Sequence, residues 1–182
     1  MYTHYETNRL ILEICPPKWC YEVLRFYQDN RHIFEPYDPA YPERYYTAEY
    51  QYTTLQYEWK TFQEEKNIRF YLFEKKQPGR IIGTISFGNI IRGFLNSAVI
   101  GYKLDHRCQH RGYAFEALQK GIEIMFYEMK LHRITAYIIP DNIPSIKLIQ
   151  RLYFTYEGTA REYALIHGKW MDHCQYSLIN HL

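Results

Sequence analysis

Residues 97–130 constrain the fold more than any other part of the chain. An apolar run, SAVIGYKLD, leads into QHRGYA at positions 109–114, and a long patterned stretch follows. In that stretch Tyr113, Ala114, Ala117, Leu118, Gly121, Ile122 and Met125 recur at helical spacing. The spacing predicts an amphipathic helix from Gly112 to about Lys130. A strand that turns into a helix through one lone glycine admits two readings. QHRGYA is either a plain connector or bare backbone shaped to hold an anion, because a helix N-terminus exposes unpaired N–H groups at the positive end of its dipole. Gly112 lets another surface approach the main chain, Ala114 keeps the first turn thin, and Arg107 and Arg111 add charge at the edge. The segment is neither GxGxxG nor a P-loop, so nucleotide hydride transfer and ATP hydrolysis have no fingerprint here.

The remaining pattern surrounds this junction with strands. RLILEI (9–14) reads as a first strand stopped by Pro16 and Pro17, and residues 19–28 have helical spacing. Residues 30–46 carry prolines at 36, 39 and 42 and read as a stiff, tyrosine-rich connection rather than a regular element. A helix is expected over 48–66. Next come the strand IRFYLFEKK, a turn at QPGR (77–80), the strand RIIGTISFGNI and the strand NSAVIGYKLD. After the amphipathic helix, HRITAYIIP reads as a strand and DNIPSIKLIQRLYF as a helix. Two final strands join around residues 166–169. A meander followed by a strand–helix–strand crossover indicates a mixed α/β sheet, mostly antiparallel and flanked by helices, in one domain over residues 1–182.

Bulk properties exclude several classes. A net charge of +2 without a run of like charges gives no electrostatic case for direct nucleic-acid binding. Four cysteines without a CxxC pair argue against both a disulfide framework and a metal site, and point to a reducing compartment. No signal-like or membrane-length apolar run is visible, so a soluble cytoplasmic protein is expected. The 20 tyrosines place many amphipathic rings at groove rims or interfaces, which is compatible with a homodimer.

YKLDHRCQHRGYAFEAL, followed by HRITAYIIPDNIPSIKLIQRLYFTYEG, resembles the acyl-CoA-binding half of GNAT-family N-acetyltransferases. ETNRLIL resembles the RimJ/RimL branch, whose members acetylate N-termini of ribosomal proteins. IFEPYDP, IIGTISFGNIIRG, LHRITAYIIPDN and LIHGKWMDH are similar to its RimJ-like members, which act on an N-terminal alanine. The likeness covers nearly the whole chain in order. It implies the GNAT fold, with a splayed parallel strand pair, and acetyl-CoA as cofactor. The diphosphate would be held by the main chain of Gln109, His110, Arg111, Gly112, Tyr113 and Ala114. The strand ending at Tyr102, Lys103 and Leu104 would part from residues 132–139, with the amide of Lys103 or Leu104 polarising the thioester carbonyl.

The resemblance also distributes roles in the chemistry. Asn142 matches a pantetheine-binding asparagine and also suits a helix N-cap. Many members carry a tyrosine seven residues further on to protonate the departing thiolate. Ile149 stands there, and the resemblance then points to the Ser145 hydroxyl as the nearest donor, its ordinary alternative being a first-turn serine with no chemical role. Glu35, with Tyr37 and Asp38 beside it in FEPYDP, lies where the family's acceptor groove is expected. Glu35 is the first candidate for the base or for the grip on the acceptor ammonium, and a solvated or capping carboxylate is its ordinary alternative. Asp38 is the second candidate, its alternative being a turn-shaping Asp before Pro. No strongly tuned base is demanded, because an α-amine titrates about 2.5 pH units below a lysine. The expected reaction is acetyl transfer to a protein N-terminal α-amine, plausibly ribosomal. A small amine such as a polyamine or antibiotic is the alternative acceptor, and a non-catalytic acyl-CoA-binding module is the reading from another class.

Overall fold

Along Ile68–Glu74 the side chains divide between two cores. Ile68, Phe70 and Leu72 join one buried cluster, whereas Tyr71 and Phe73 join another on the opposite face. Period-two alternation with apolar residues on both faces demands a sheet covered on both sides. The protein meets this demand with an eight-stranded sheet. We describe residues 1–181 from a computed structural model.

The elements run β1 (His4–Glu6), β2 (Leu10–Glu13), α1 (Cys20–Asp29), α2 (Arg31–Phe34), α3 (Ala48–Gln63), β3 (Ile68–Glu74), β4 (Gln77–Ile91) and β5 (Ser97–Leu104). They continue with α4 (Tyr113–Tyr127), β6 (Arg133–Ile138), α5 (Ile143–Arg151), β7 (Thr155–Ile166) and β8 (Lys169–Ile179). Strand order is β1-β2-β3-β4-β5-β6-β8-β7. All neighbours are antiparallel except β5 and β6, which α4 connects. This is the mixed, mostly antiparallel α/β sheet that the pattern predicted. On one face α4 and α5 pack through Ala117, Leu118, Ile122, Met125 and Ile149. Gly121 is what lets α4 lie so close, since a Cβ there would sit 2.5 Å from Ile85 Cδ1. The other face is covered by α1 and α3 through Val23, Phe26, Tyr27 and Leu55. Among the described residues no helix is long and apolar enough to cross a membrane.

Three local expectations are corrected. The turn after β3 falls on residues 75–76, with Glu74 facing Gln77, so QPGR belongs to β4 rather than to the turn. Its Pro78 and Gly79 stand at the start of the strand, the place where proline's missing N–H is tolerated. Helix α3 ends three residues before Lys66, capped at Glu64, and the left-handed Glu65 follows. The proline-rich connection is more ordered than its composition suggests, since α2 and the 3-10 turns Glu35–Tyr37 and Glu43–Tyr46 occupy it. Pro36 sits in the first turn of its 3-10 segment and Pro42 just before the next, positions that need no proline N–H. The edge strand β1 is three residues long, too short for its alternation to stand out in the sequence.

Helix α5 ends in a left-handed C-cap. Tyr153 N–H bonds to Gln150 O at 3.0 Å, and Phe154 N–H to Ile149 O at 3.2 Å. Those bonds form a Schellman motif, with Phe154 and Ile149 both buried in the core beside it. Tyr153 holds φ 64° there, a conformation glycine adopts without strain, while its ring is 85% exposed. Tyr153→Gly is expected to stabilise the fold by about 1 kcal/mol. Urea denaturation is the check, and an unchanged or lower midpoint contradicts this account of the cap.

Candidate active site

The parallel pair is short. β5 and β6 share only the register pairs Ser97–Arg133, Ala98–Ile134 and Val99–Thr135. Beyond them β5 stays paired with β4 as far as Leu104, and β6 with β8 as far as Ile138. The two strands part, leaving main-chain groups between them unpaired by the sheet. Their direction follows from the pleat. Asp105 N–H donates to Ile82 O at 2.8 Å, toward β4. Alternation sends the amide of Lys103 the same way and those of Tyr102 and Leu104 into the gap. Of the two amides expected at the splay, Leu104 is the one that faces it.

At the end of β5 the chain makes a turn held by one carboxylate. Asp105, fully buried, accepts from the Arg107 main chain (2.9 Å), from the Arg107 guanidinium (2.9 and 3.0 Å) and from Arg80 (2.6 Å). Burial alone would raise its pKa, but these donors hold it well below the ordinary carboxylate value. Arg107 is thereby committed to Asp105 and Asp29 rather than to the edge of the loop. His110 (φ 59°) and Gly112 (φ 79°) then adopt left-handed conformations, and Gly112 caps α4 with no side-chain hydrogen bond. The first-turn amides of α4 are thus free of a side-chain cap, unlike those of α5, where Asn142 Oδ1 accepts from Ser145 N–H at 3.3 Å. Left-handed residues ahead of an open helix N-terminus suit an anion such as a diphosphate.

The turn between β1 and β2 braces this junction, a contribution that local pattern did not reveal. Glu116 in the first turn of α4 accepts from Thr7 Oγ1 (2.6 Å), Arg9 N–H (2.9 Å) and Arg9 Nε (2.7 Å). Burial would raise the Glu116 pKa, but those donors hold it below the usual value. Arg9 also donates to Arg111 O at 2.8 Å and lies over the Tyr113 ring at 4.5 Å. Only the separation of more than 100 residues between partners hid this clamp.

One cleft of about 790 Å³ joins the splay to residues 30–46, the acceptor segment if the expected groove lies there. Tyr102, Lys103, Leu104, Gln109, His110, Gly112, Tyr113 and Ala114 line one part of it, and Asn142 and Ser145 line the wall given by α5. Tyr37 and Asp38 line the far part, with Phe34 and Tyr41. Two predicted residues stand apart. Arg111 is exposed beside the cleft. Glu35 is not among the lining residues; its carboxylate is bound by Arg31 Nε at 2.6 Å, and its carbonyl accepts from His167 Nε2, also at 2.6 Å. That second bond ties the β7–β8 hairpin tip to the acceptor segment. Asp38 instead meets the Lys103 ammonium, and both side chains are largely buried. Tyr102 donates to Ser145 O at 3.2 Å, which fixes the wall of α5 against β5. Burial pushes its phenol up to about 12, so it stays a donor at neutral pH.

Most of the tyrosines in the acceptor segment have a structural use. Tyr41 and Tyr45 stack at 4.0 Å, with Tyr27, Tyr46 and Tyr50 around Tyr45. Cys108 is buried, which raises its thiol and disqualifies it as a nucleophile. Among the described residues no cluster of metal-ligating side chains occurs.

This arrangement has close relatives. The family described as "Acetyltransferase (GNAT) domain" matches residues 10–155. A probable N-acetyltransferase of Bacillus subtilis, YjcK, is 34% identical over 159 residues, which is 87% of either chain. The [ribosomal protein uS5]-alanine N-acetyltransferase of Escherichia coli is 32% identical over 168 residues, covering 92% of this chain and 86% of that one. The solved ribosomal-protein-S5-alanine acetyltransferase of Vibrio fischeri superimposes with a TM-score of 0.93 at 29% identity, over 99% of this chain and 98% of that one. The chain belongs to the GNAT acetyltransferases, in their RimJ/RimL branch, and is an N-acetyltransferase whose cofactor is acetyl-CoA.

Proposed function

We propose that the acceptor is the α-amino group at the N-terminus of a protein, with a ribosomal protein beginning in alanine as the leading case. One observation carries this reading: likeness to alanine-specific acetyltransferases runs the length of the chain and includes the acceptor side as well as the cofactor side. The four unpaired thiols suit a cytoplasmic enzyme working where ribosomal proteins are made.

The cleft's residues fit coenzyme A and an amine in the following way. The main chain of residues 109–114 and the open first turn of α4 hold the diphosphate, with Arg111 adding charge from the rim. Asn142 and the unpaired edges of β5 and β6 hold the pantetheine arm. Bound there, acetyl-CoA supplies an acetyl thioester. Leu104 N–H, directed into the gap, donates to the thioester oxygen as charge gathers on it. The neutral amine would attack the carbonyl carbon as the C–S bond breaks; the surplus proton on the nitrogen would pass to water, and the sulfur would leave as the thiolate of coenzyme A, held by a hydrogen bond from the Ser145 hydroxyl. Asp38 receives the acceptor ammonium before it loses its proton to water, and Tyr37 covers it. Glu35, bound to Arg31 and to His167, holds the acceptor segment in place.

An α-amine has a pKa of about 7.7–8.0, against about 10.4 for a lysine side chain, so neutralising it near pH 7 costs roughly 3–4 kcal/mol less. A cleft whose acceptor carboxylate is already ion-paired, and which offers no strongly activated base, suits the easier amine. Small amines and a non-catalytic CoA-binding role are the readings this must defeat.

Incubation with acetyl-CoA and a panel of amines should release free thiol, fastest with an Ala-starting peptide. Faster turnover of polyamines overturns the acceptor assignment, and silence over the whole panel overturns the catalytic one. Gly112→Glu should weaken CoA binding by at least about 100-fold, through a strained φ, contact with Arg9 and repulsion of the phosphates. Unchanged affinity by calorimetry would show that the loop is not the diphosphate site. Ser145→Ala should lower kcat about tenfold or more with little change in CoA affinity. Equal turnover removes that hydroxyl from the reaction.

A further inference from the structure

The Lys103 amide faces β4. Its side chain goes elsewhere. On β5, Tyr102 and Leu104 point to the face covered by α4 and α5. Lys103 points to the opposite face, beside its cross-strand partner Thr84. There its ammonium meets Asp38 and lies 4.9 Å above the Phe34 ring. The side chains are 21% and 14% exposed and both line the cleft.

The other charged group in this wall is already satisfied. Arg69 is held by Glu58 Oε1 at 3.2 Å and by Tyr27 OH at 2.9 Å. Asp38 and Lys103 are therefore the exchangeable pair at the acceptor end. Burial lowers the Lys103 pKa, and Asp38 only partly restores it, so the ammonium depends on having a partner.

We propose that Lys103 and Asp38 together read the first residue of the acceptor: Asp38 takes its ammonium, and Lys103, released from Asp38, donates to the adjacent carbonyl oxygen. This rests on the reading that the acceptor is a protein N-terminus. In the free enzyme Lys103 occupies the place on Asp38 that the acceptor ammonium needs. An amine without a neighbouring oxygen displaces Lys103 and leaves a half-buried cation unpaired, which is unfavourable. A polyamine also brings further positive charge against it. A peptide N-terminus satisfies both partners at once, because its ammonium and first carbonyl are separated by a single Cα. Lys103 is thus a specificity-determining residue for the acceptor, with no part in the acyl chemistry.

The test is steady-state kinetics of the whole enzyme at saturating acetyl-CoA with three acceptors: an Ala-starting tetrapeptide, propylamine as an amine lacking the carbonyl, and spermidine. The parent enzyme is expected to prefer the peptide. Lys103→Met should cut the peptide-to-propylamine ratio of kcat/KM about tenfold or more, chiefly through a higher peptide KM, and should improve spermidine. Lys103→Arg, which keeps the charge and the donors, should restore the preference. If Lys103→Met does not fold, Lys103→Thr, suited to a strand, is read by the same ratios. A parent-like ratio in the uncharged variants, with the peptide still acetylated, overturns this inference alone. A parent enzyme that acetylates amines but no peptide overturns the N-terminal reading and this inference with it.

Discussion

The site depends on one interruption in hydrogen bonding. Three parallel register pairs hold β5 to β6, and then each strand continues with its other neighbour. A continuous ladder would have satisfied the amides of Tyr102 and Leu104 and left nothing to donate. Those amides lose their sheet partners beside a cleft that Tyr102 and Leu104 line, so they are available there as fixed donors. Such donors need no reorganisation as negative charge develops on a carbonyl oxygen, which is where preoriented dipoles do most for a reaction. An unpaired buried amide is unfavourable by itself, so the splay demands compensation from the surrounding packing. That packing is the two cores either side of β3 and β4, together with the Tyr102–Ser145 bond that holds α5 against the open strand.

The loop proposed to hold the diphosphate follows the same logic. His110 and Gly112 hold left-handed conformations, and the N-terminus of α4 is left without a side-chain cap. The energy that a cap would have supplied is replaced from a distance, since Glu116 in the first turn binds Thr7 and Arg9 at the other end of the chain. A negative side chain in the first turn favours the helix dipole. Arg9 simultaneously fixes the carbonyl of Arg111, so the loop is held from behind while its amides stay open in front.

What the sequence made legible follows the range of the interactions. Local periodicity was enough for the strands from β2 onward, for α1, α3, α4 and α5, and for the mixed sheet. QHRGYA was legible because one short segment holds the glycine and the helix start, a few residues after β5 ends. Features that depend on distant partners were invisible. Nothing near Arg9 indicates that it meets residues 111, 113 and 116, and nothing in FEPYDP indicates which carboxylate turns inward. Glu35 lies four residues after Arg31, and in a helical segment that spacing pairs the two side chains, which takes Glu35 out of the cleft. Asp38, after the 3-10 turn, has extended backbone (ψ 157°) and reaches Lys103 instead. Composition misled at the tyrosines, because aromatic richness reads equally as a binding rim or as a buried cluster. Tyr27 and Tyr45 show that much of it is core.

The two faces of the sheet divide recognition between main chain and side chain. Toward α4 and α5 the groups assigned to the cofactor are amides of the loop, the helix turn and the splayed strand, which any side chain can carry if the backbone keeps its path. Toward α1 and the acceptor segment the groups are Lys103, Asp38, Tyr37 and Thr84, whose chemistry is set residue by residue. Alternation along β5 is what permits this, because neighbouring residues of one strand serve opposite faces. Replacing Lys103 can alter acceptor choice while the Leu104 amide beside it stays where it is. On the proposed reading, one strand serves acyl transfer with its backbone and acceptor choice with the side chain next door.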